Sequence, residues 1–253
     1  MGSMLEKLCC ENVGALFECE KRGEQVELLR QMDFLHISHG LVIVGSKNPL
    51  RGGVEGYRYN ETPVREFEVG PFWLCKYKVT NLEFERFFPG HKRSLYSQLD
   101  KHPVVEVTYN EVMVYIQRLN TASGTKFRLP TELEWVLAVA PYGWEYPHGQ
   151  QPDLSAGHVF GDGHEFGCVP IGDSRWESNW LGIDQMGYNT MEMTRDVYVA
   201  SGHYGAVTDG AYFIAKGGAW GKCKFSPGVH RRRMFDVVTR DARLGFRLAH
   251  DEI

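Results

Sequence analysis

Lys216-Gly217-Gly218-Ala219-Trp220 and Gly245-Phe246-Arg247-Leu248 bracket the C-terminal segment of the chain, with Arg128-Leu129-Pro130-Thr131-Glu132-Leu133-Glu134-Trp135 upstream of both. Each piece has a local reading. Pro130 ends a strand and Thr131 opens a helix: its hydroxyl can accept the Glu134 N–H while the Glu134 carboxylate reaches back to the Thr131 N–H. Glu134 reads as half of an ion pair at a core edge, and Trp135 as a packing anchor. Gly217-Gly218 suits a close backbone approach or a positive φ. Arg247 suits the anchoring of loop carbonyls through its forked donors.

The same capping signature recurs at Thr80-Asn81-Leu82-Glu83 and Thr108-Tyr109-Asn110-Glu111. It predicts helices over residues 81–88, 109–121 and 131–139, stopped by Pro89, Gly124 and Pro141. The second puts Val112, Tyr115, Ile116 and Leu119 on one face. Strands are expected over residues 40–45, 64–74, 212–215 and 245–248. Leu5, Leu8, Leu16, Val26, Leu29 and Met32 fall near helical spacing and predict an N-terminal helix over residues 5–34, weakened at Gly14 and Gly23. Past residue 141 the texture turns to Gly, Pro, Asn, Asp and aromatics. Long loops held by buried Trp144, Trp176, Trp180 and Trp220 account for it.

Composition excludes several classes. With 253 residues, 43% hydrophobic and 24% charged, the chain reads as a soluble globular protein. A net charge of -4 argues against a whole-protein nucleic-acid binder. No apolar run reaches the roughly 18–20 residues that span a bilayer. Met1-Gly2-Ser3-Met4 reads as an added tag before a natural start at Met4, and no signal-peptide core follows. Six scattered cysteines are too few for a disulfide scaffold and predict reduced thiols in the cytoplasm, with secretion or surface display left open. His36-Ile37-Ser38-His39 and the span from His158 to Glu165 are the close histidine groupings, and the latter reads as a solvated loop.

Several motifs in order resemble the formylglycine-generating-enzyme (sulfatase-modifying factor) family, a branch of the C-type-lectin-like fold. His102-Pro103-Val104-Val105-Glu106-Val107-Thr108, the Arg128 to Trp135 run, Tyr146-Pro147-His148-Gly149, Asn179-Trp180-Leu181-Gly182-Ile183 and Asn189-Thr190-Met191-Glu192-Met193 carry it, with the C-terminal pieces above. The resemblance covers residues 38–250. It implies an α+β fold of this type with much irregular structure, divided into an N-terminal helical extension at 1–35 and the lectin-like domain at 36–253.

The copper enzymes of that family hold Cu(I) with two cysteines after the Gly-Gly turn; here that segment carries Cys223 alone. Two soft thiolates suit Cu(I) and one does not, so formylglycine chemistry is not expected. The resemblance also implies calcium near the last two motifs, where Asn189 and Glu192 remain while Tyr188, Met191 and Met193 replace family residues. No cofactor is required by the non-catalytic reading, and calcium at Asn189 and Glu192 is the ion the family would supply.

The spacing from Trp220 through Arg232 and Arg240 to Arg247 resembles the binding region of variable proteins diversified by retroelements. That resemblance implies a non-catalytic ligand-binding protein with its face at Trp220, Cys223, Phe225, Ser226, His230, Arg231, Arg233, Phe235 and Asp236. The partner expected is a protein or a small anionic ligand, since aromatics and arginines dominate binding hot spots. The alternative is an oxidoreductase of the family, serving a biosynthetic or modification pathway without the cysteine pair.

Overall fold

The computed structural model describes residues 32–45, 61–140, 143–150, 167–173, 178–198, 212–221 and 228–251. All three capping boxes form, with Thr80, Thr108 and Thr131 at the caps of α1 (Asn81–Glu85), α2 (Tyr109–Ser123) and α3 (Glu132–Val139). α1 stops short of the expected residue 88, the Phe87 amide closing a tighter i−3 turn onto the Phe84 carbonyl. α2 runs to Gly124, which closes it in the left-handed region at φ 74°. Pro141, the expected stop of α3, lies outside the described residues, as does the expected helical segment up to residue 31.

Strands β1 (Phe34–Ile37), β2 (Gly40–Val44), β3 (Arg65–Val69), β4 (Phe72–Cys75), β5 (Phe127–Arg128), β6 (Met191–Val197), β7 (Tyr212–Lys216), β8 (Arg233–Asp236), β9 (Leu244–Gly245) and β10 (Ala249–His250) form three sheets. Their orders are β1-β4-β10-β5, β2-β3 and β8-β7-β6-β9. Phe34 and Leu35, placed in the N-terminal extension by sequence, instead pair with Cys75 and Leu74 in β1. β10 lies between β4 and β5, so the C-terminal strand completes the sheet that β1 begins.

One expected strand divides and another largely fails to form. Residues 64–74 break at Gly70-Pro71, and β3 pairs with β2 while β4 joins the other sheet. Proline cannot donate to a ladder and its φ is fixed, so the chain changes sheet there. The strand expected over residues 245–248 forms only at Gly245, in β9, and residues 246–248 are irregular. β9 runs parallel to β6, β10 pairs with β4, and Phe246-Arg247-Leu248 crosses between the two sheets.

α3 fills the centre. Every residue from Trp135 to Val139 is buried, packed with Val42, Phe72, Leu74, Ile183 and Met186. A second core gathers Phe84, Tyr115, Leu119, Met191, Met193, Phe213 and Phe246 beneath α1 and α2. Of the tryptophans expected to anchor loops, Trp220 is buried, Trp144 packs half-buried, and Trp180 is 46% exposed. Trp176 lies outside the described residues. No described helix is long and apolar enough to cross a membrane.

Gly217 has φ 82°, and a Cβ there would meet the Gly187 Cα at 3.0 Å and the Trp135 ring at 3.2 Å. Gly124 is also left-handed but has open space around the same position. Gly124→Ala is therefore expected to cost about 1–2 kcal/mol from backbone strain alone. Gly217→Ala adds overpacking and should cost about 3 kcal/mol or more. Urea denaturation of the two variants checks the order.

Candidate functional site

β6, β7, α3 and the crossing segment bring two buried charge clusters to either side of the Trp135 indole. In the first, Glu192 Oε2 accepts from Arg247 Nε at 2.6 Å and Trp135 Nε1 at 3.1 Å. Its Oε1 accepts from Arg247 Nη2 at 3.0 Å and lies 3.2 Å from Lys78 Nζ. The remaining Arg247 N–H groups donate to the Cys75, Lys76 and Asp184 carbonyls, so all five donors have acceptors. Burial alone would raise the Glu192 carboxyl; the charges and hydrogen bonds of Arg247 and Lys78 hold it down at about 2. Burial pulls the Lys78 ammonium down to about 8, against the pull of Glu192.

In the second cluster Glu132, fully buried at the start of α3, accepts from Lys216 Nζ at 3.2 Å and Arg232 Nε at 2.9 Å. Lys216 also lies over the Trp135 ring, 5.8 Å from its centroid. The Glu132 N–H donates to Asp196, whose carboxyl burial lifts to about 6, aided by the neighbouring Glu132 and Glu134 charges. Glu192 and Lys216 are cross-strand neighbours in the β6–β7 register. The two clusters thus form one line through the centre of the fold.

The expected ion pair at the core edge is present: Arg128 donates to both Glu134 oxygens, and Asp251 joins it. The two cysteines among the described residues, Cys75 and Cys168, are buried, and burial pushes both thiols up to about 12. Protonated at neutral pH, neither thiol is a nucleophile. A cavity of about 710 Å³ opens beside β1 and β2, walled by His36, His39, Leu41, Leu137, Trp180 and Leu181. Among the described residues no three His, Cys, Asp or Glu side chains gather as metal ligands. The stretch from His158 to Glu165 lies outside them.

The profile of the sulfatase-modifying factor enzyme 1-like domain family matches residues 21–252. The chain belongs to this family. Its match begins within the segment assigned by sequence to the N-terminal extension. No curated protein matches the chain in sequence. Among solved structures, PvdO from Pseudomonas aeruginosa superimposes with a TM-score of 0.70 at 20% identity, covering 87% of this chain and 94% of PvdO. Treponema denticola variable protein 1 gives 0.70 at 16%, over 87% of this chain and 95% of its own. CarF gives 0.63 at 18%, over 88% and 99%. At such identities the likeness is one of fold, the C-type-lectin-like fold of the sulfatase-modifying factor family.

Against this frame the expected binding residues separate. Trp220 is buried: it donates to the Ala242 carbonyl, packs on Tyr96 at 4.8 Å and lies under Arg243. His230 is 6% exposed, and its Nδ1 has no hydrogen-bond partner. Both were expected at a partner's surface and are instead buried, Trp220 being held by its N–H on the Asn189 carbonyl. Phe235 is half-buried, stacked on Phe213. Asp236 holds the turn after β8 by accepting the Val238 N–H. Arg231, ahead of β8, and Arg233, its first residue, are half-exposed, and Met234 next in β8 is exposed. Cys223, Phe225 and Ser226 lie outside the described residues.

The calcium ligands expected at Asn189 and Glu192 do not fit that ion. The Asn189 amide accepts from Val169 N–H and donates to the Val169 carbonyl and Gln185 Oε1. Glu192 is already shared by two cations and an indole. Calcium needs six to eight oxygens that are free to turn toward it. Sequence reasoning missed Lys78, Glu132 and Lys216 in this interior. A lysine beside a strand and a glutamate in a first helical turn normally read as solvated.

Burial, reinforced by the Lys216 charge, lowers the His230 imidazole from 6.5 to about 4. Between those values the unfolded chain holds a proton that the folded chain does not, so stability rises with pH across the window. His230→Phe removes this term. Relative to wild type, the variant should gain stability as pH falls through the window, by up to roughly 3 kcal/mol. Urea titrations at the two ends measure it, and a pH-independent difference would contradict the burial of a neutral imidazole.

Proposed function

We propose that this chain is a non-catalytic ligand-binding protein whose recognition face is the outward side of β8 and its flanks. One observation carries the reading. Arg232 is fully buried and bound to Glu132, while Arg231 and Arg233 on either side are half-exposed beside the exposed Met234. An inner arginine fixes the segment to the rigid core while its neighbours stay partly exposed, as recognition on a stable scaffold needs. Guanidinium groups with an aromatic and an apolar neighbour suit a protein or a small anionic ligand. The fold shared with Treponema denticola variable protein 1 supports a scaffold that tolerates surface change. On this reading Arg231, Arg233, Phe235 and Asp236, with Cys223, Phe225 and Ser226, are the positions a diversifying retroelement would alter.

The triple variant Arg231→Ser/Arg233→Ser/Met234→Ser should keep its thermal midpoint within a few degrees, since surface changes cost about 0.5 kcal/mol or less. It should lose binding on arrays of peptides and anionic small molecules. Arg232→Ala should instead cost about 3–5 kcal/mol, because it strips a buried carboxylate of a partner. A triple variant as unstable as Arg232→Ala would sink the face. Oxygen uptake with a cysteine-bearing peptide and Cu(I), lost in Cys223→Ala, would overturn the non-catalytic reading in favour of a family oxidoreductase.

A further inference from the structure

Gln185, Gly187 and Asn189 all adopt positive φ, at 48°, 85° and 64°. Gly187 and Asn189 tolerate this conformation, whereas Gln185 carries a side chain that disfavours it, so the turn is held in part against local preference. Its effect is to aim the Gln185 and Tyr188 carbonyls at one point. Lys78 Nζ sits at that point and donates to both at 2.8 Å, with Glu192 Oε1 at 3.2 Å. An ammonium has three donors, and three oxygens receive them. Lys78 is 1% exposed and Glu192 fully buried, so the arrangement is dry.

Converging backbone carbonyls with a carboxylate are the oxygen set of a cation cage. We propose that Lys78 is the resident cation of this turn at neutral pH, its ammonium standing where the family resemblance puts a calcium ion, so that the turn at 185–189 is ordered without metal. The charges favour a single positive unit there. Arg247 already neutralises Glu192 from the other side, and a divalent ion beside that guanidinium would add like-charge repulsion inside a low-dielectric interior. The turn's own side chains are committed elsewhere, Gln185 Nε2 donating to the Pro170 carbonyl and Asn189 to Val169. The same turn accepts the Gly218 N–H at the Gly187 carbonyl and the Trp220 N–H at the Asn189 carbonyl. Lys78 therefore sets where the C-terminal segment leaves the core, whatever that segment binds.

The test uses the full chain labelled with ¹⁵N-lysine. The buried Lys78 ammonium should give a slowly exchanging signal, absent from Lys78→Met and unchanged by millimolar calcium or by EDTA. Lys78→Ala should lower the thermal midpoint by roughly 10 °C. Propylammonium, which replaces the missing side chain, should restore much of that loss, and calcium should not. A wild-type ammonium signal displaced by calcium would overturn the proposal, as would rescue of Lys78→Ala by calcium in place of the amine. Rescue by neither cation would make Lys78 a packing residue and overturn it too. If Lys78→Ala does not fold, the wild-type signal under calcium decides alone.

Discussion

Glu192 cannot leave water without Arg247 and Lys78. A buried carboxylate alone carries a desolvation cost of several kcal/mol, and only close, fully hydrogen-bonded partners offset it. Here the partners come from three separate parts of the chain: residue 78 beyond β4, residue 192 in β6, and residue 247 in the crossing segment. Closing this one cluster fixes β6 against the β4 sheet and threads the C-terminus between them. Trp135 ties the cluster to α3 by its indole N–H and to the second cluster through Lys216. Buried ion pairs of this kind add little net stability over an apolar core, yet removing one member is severe. Their effect falls on uniqueness. Slipping β6 against β7 by one residue would leave Glu192 or Lys216 buried without a partner.

That rigidity explains how the C-terminal segment can serve two roles within a few residues. Arg232 and His230 are buried while Arg231 and Arg233 are half-exposed. Alternation of this kind lets the more exposed side chains change without disturbing the inner contacts, and among the described residues β8 pairs with β7 alone. The constraint runs the other way for Trp220 and Gly217. Both touch the core directly, so they belong to the scaffold despite their place in the same segment.

The sequence by itself determined whatever is settled within about four residues or by residue chemistry alone. The three helix starts, the Gly124 stop, the inward face of α2, the Trp135 anchor and the carbonyl-gathering of Arg247 all stood as read. So did the family, because ordered motifs survive where overall identity does not. Tertiary structure decided the rest. A proline-broken run of apolar residues reads as one strand until two sheets are there to divide it. Aromatic and basic residues in a loop-rich segment have the same composition whether they anchor or recognise, and only tertiary packing buries Trp220 and His230. Lys78 is the extreme case. Nothing adjacent to it signals burial, since its three acceptors lie more than a hundred residues away and converge only when the turn at 185–189 folds over it.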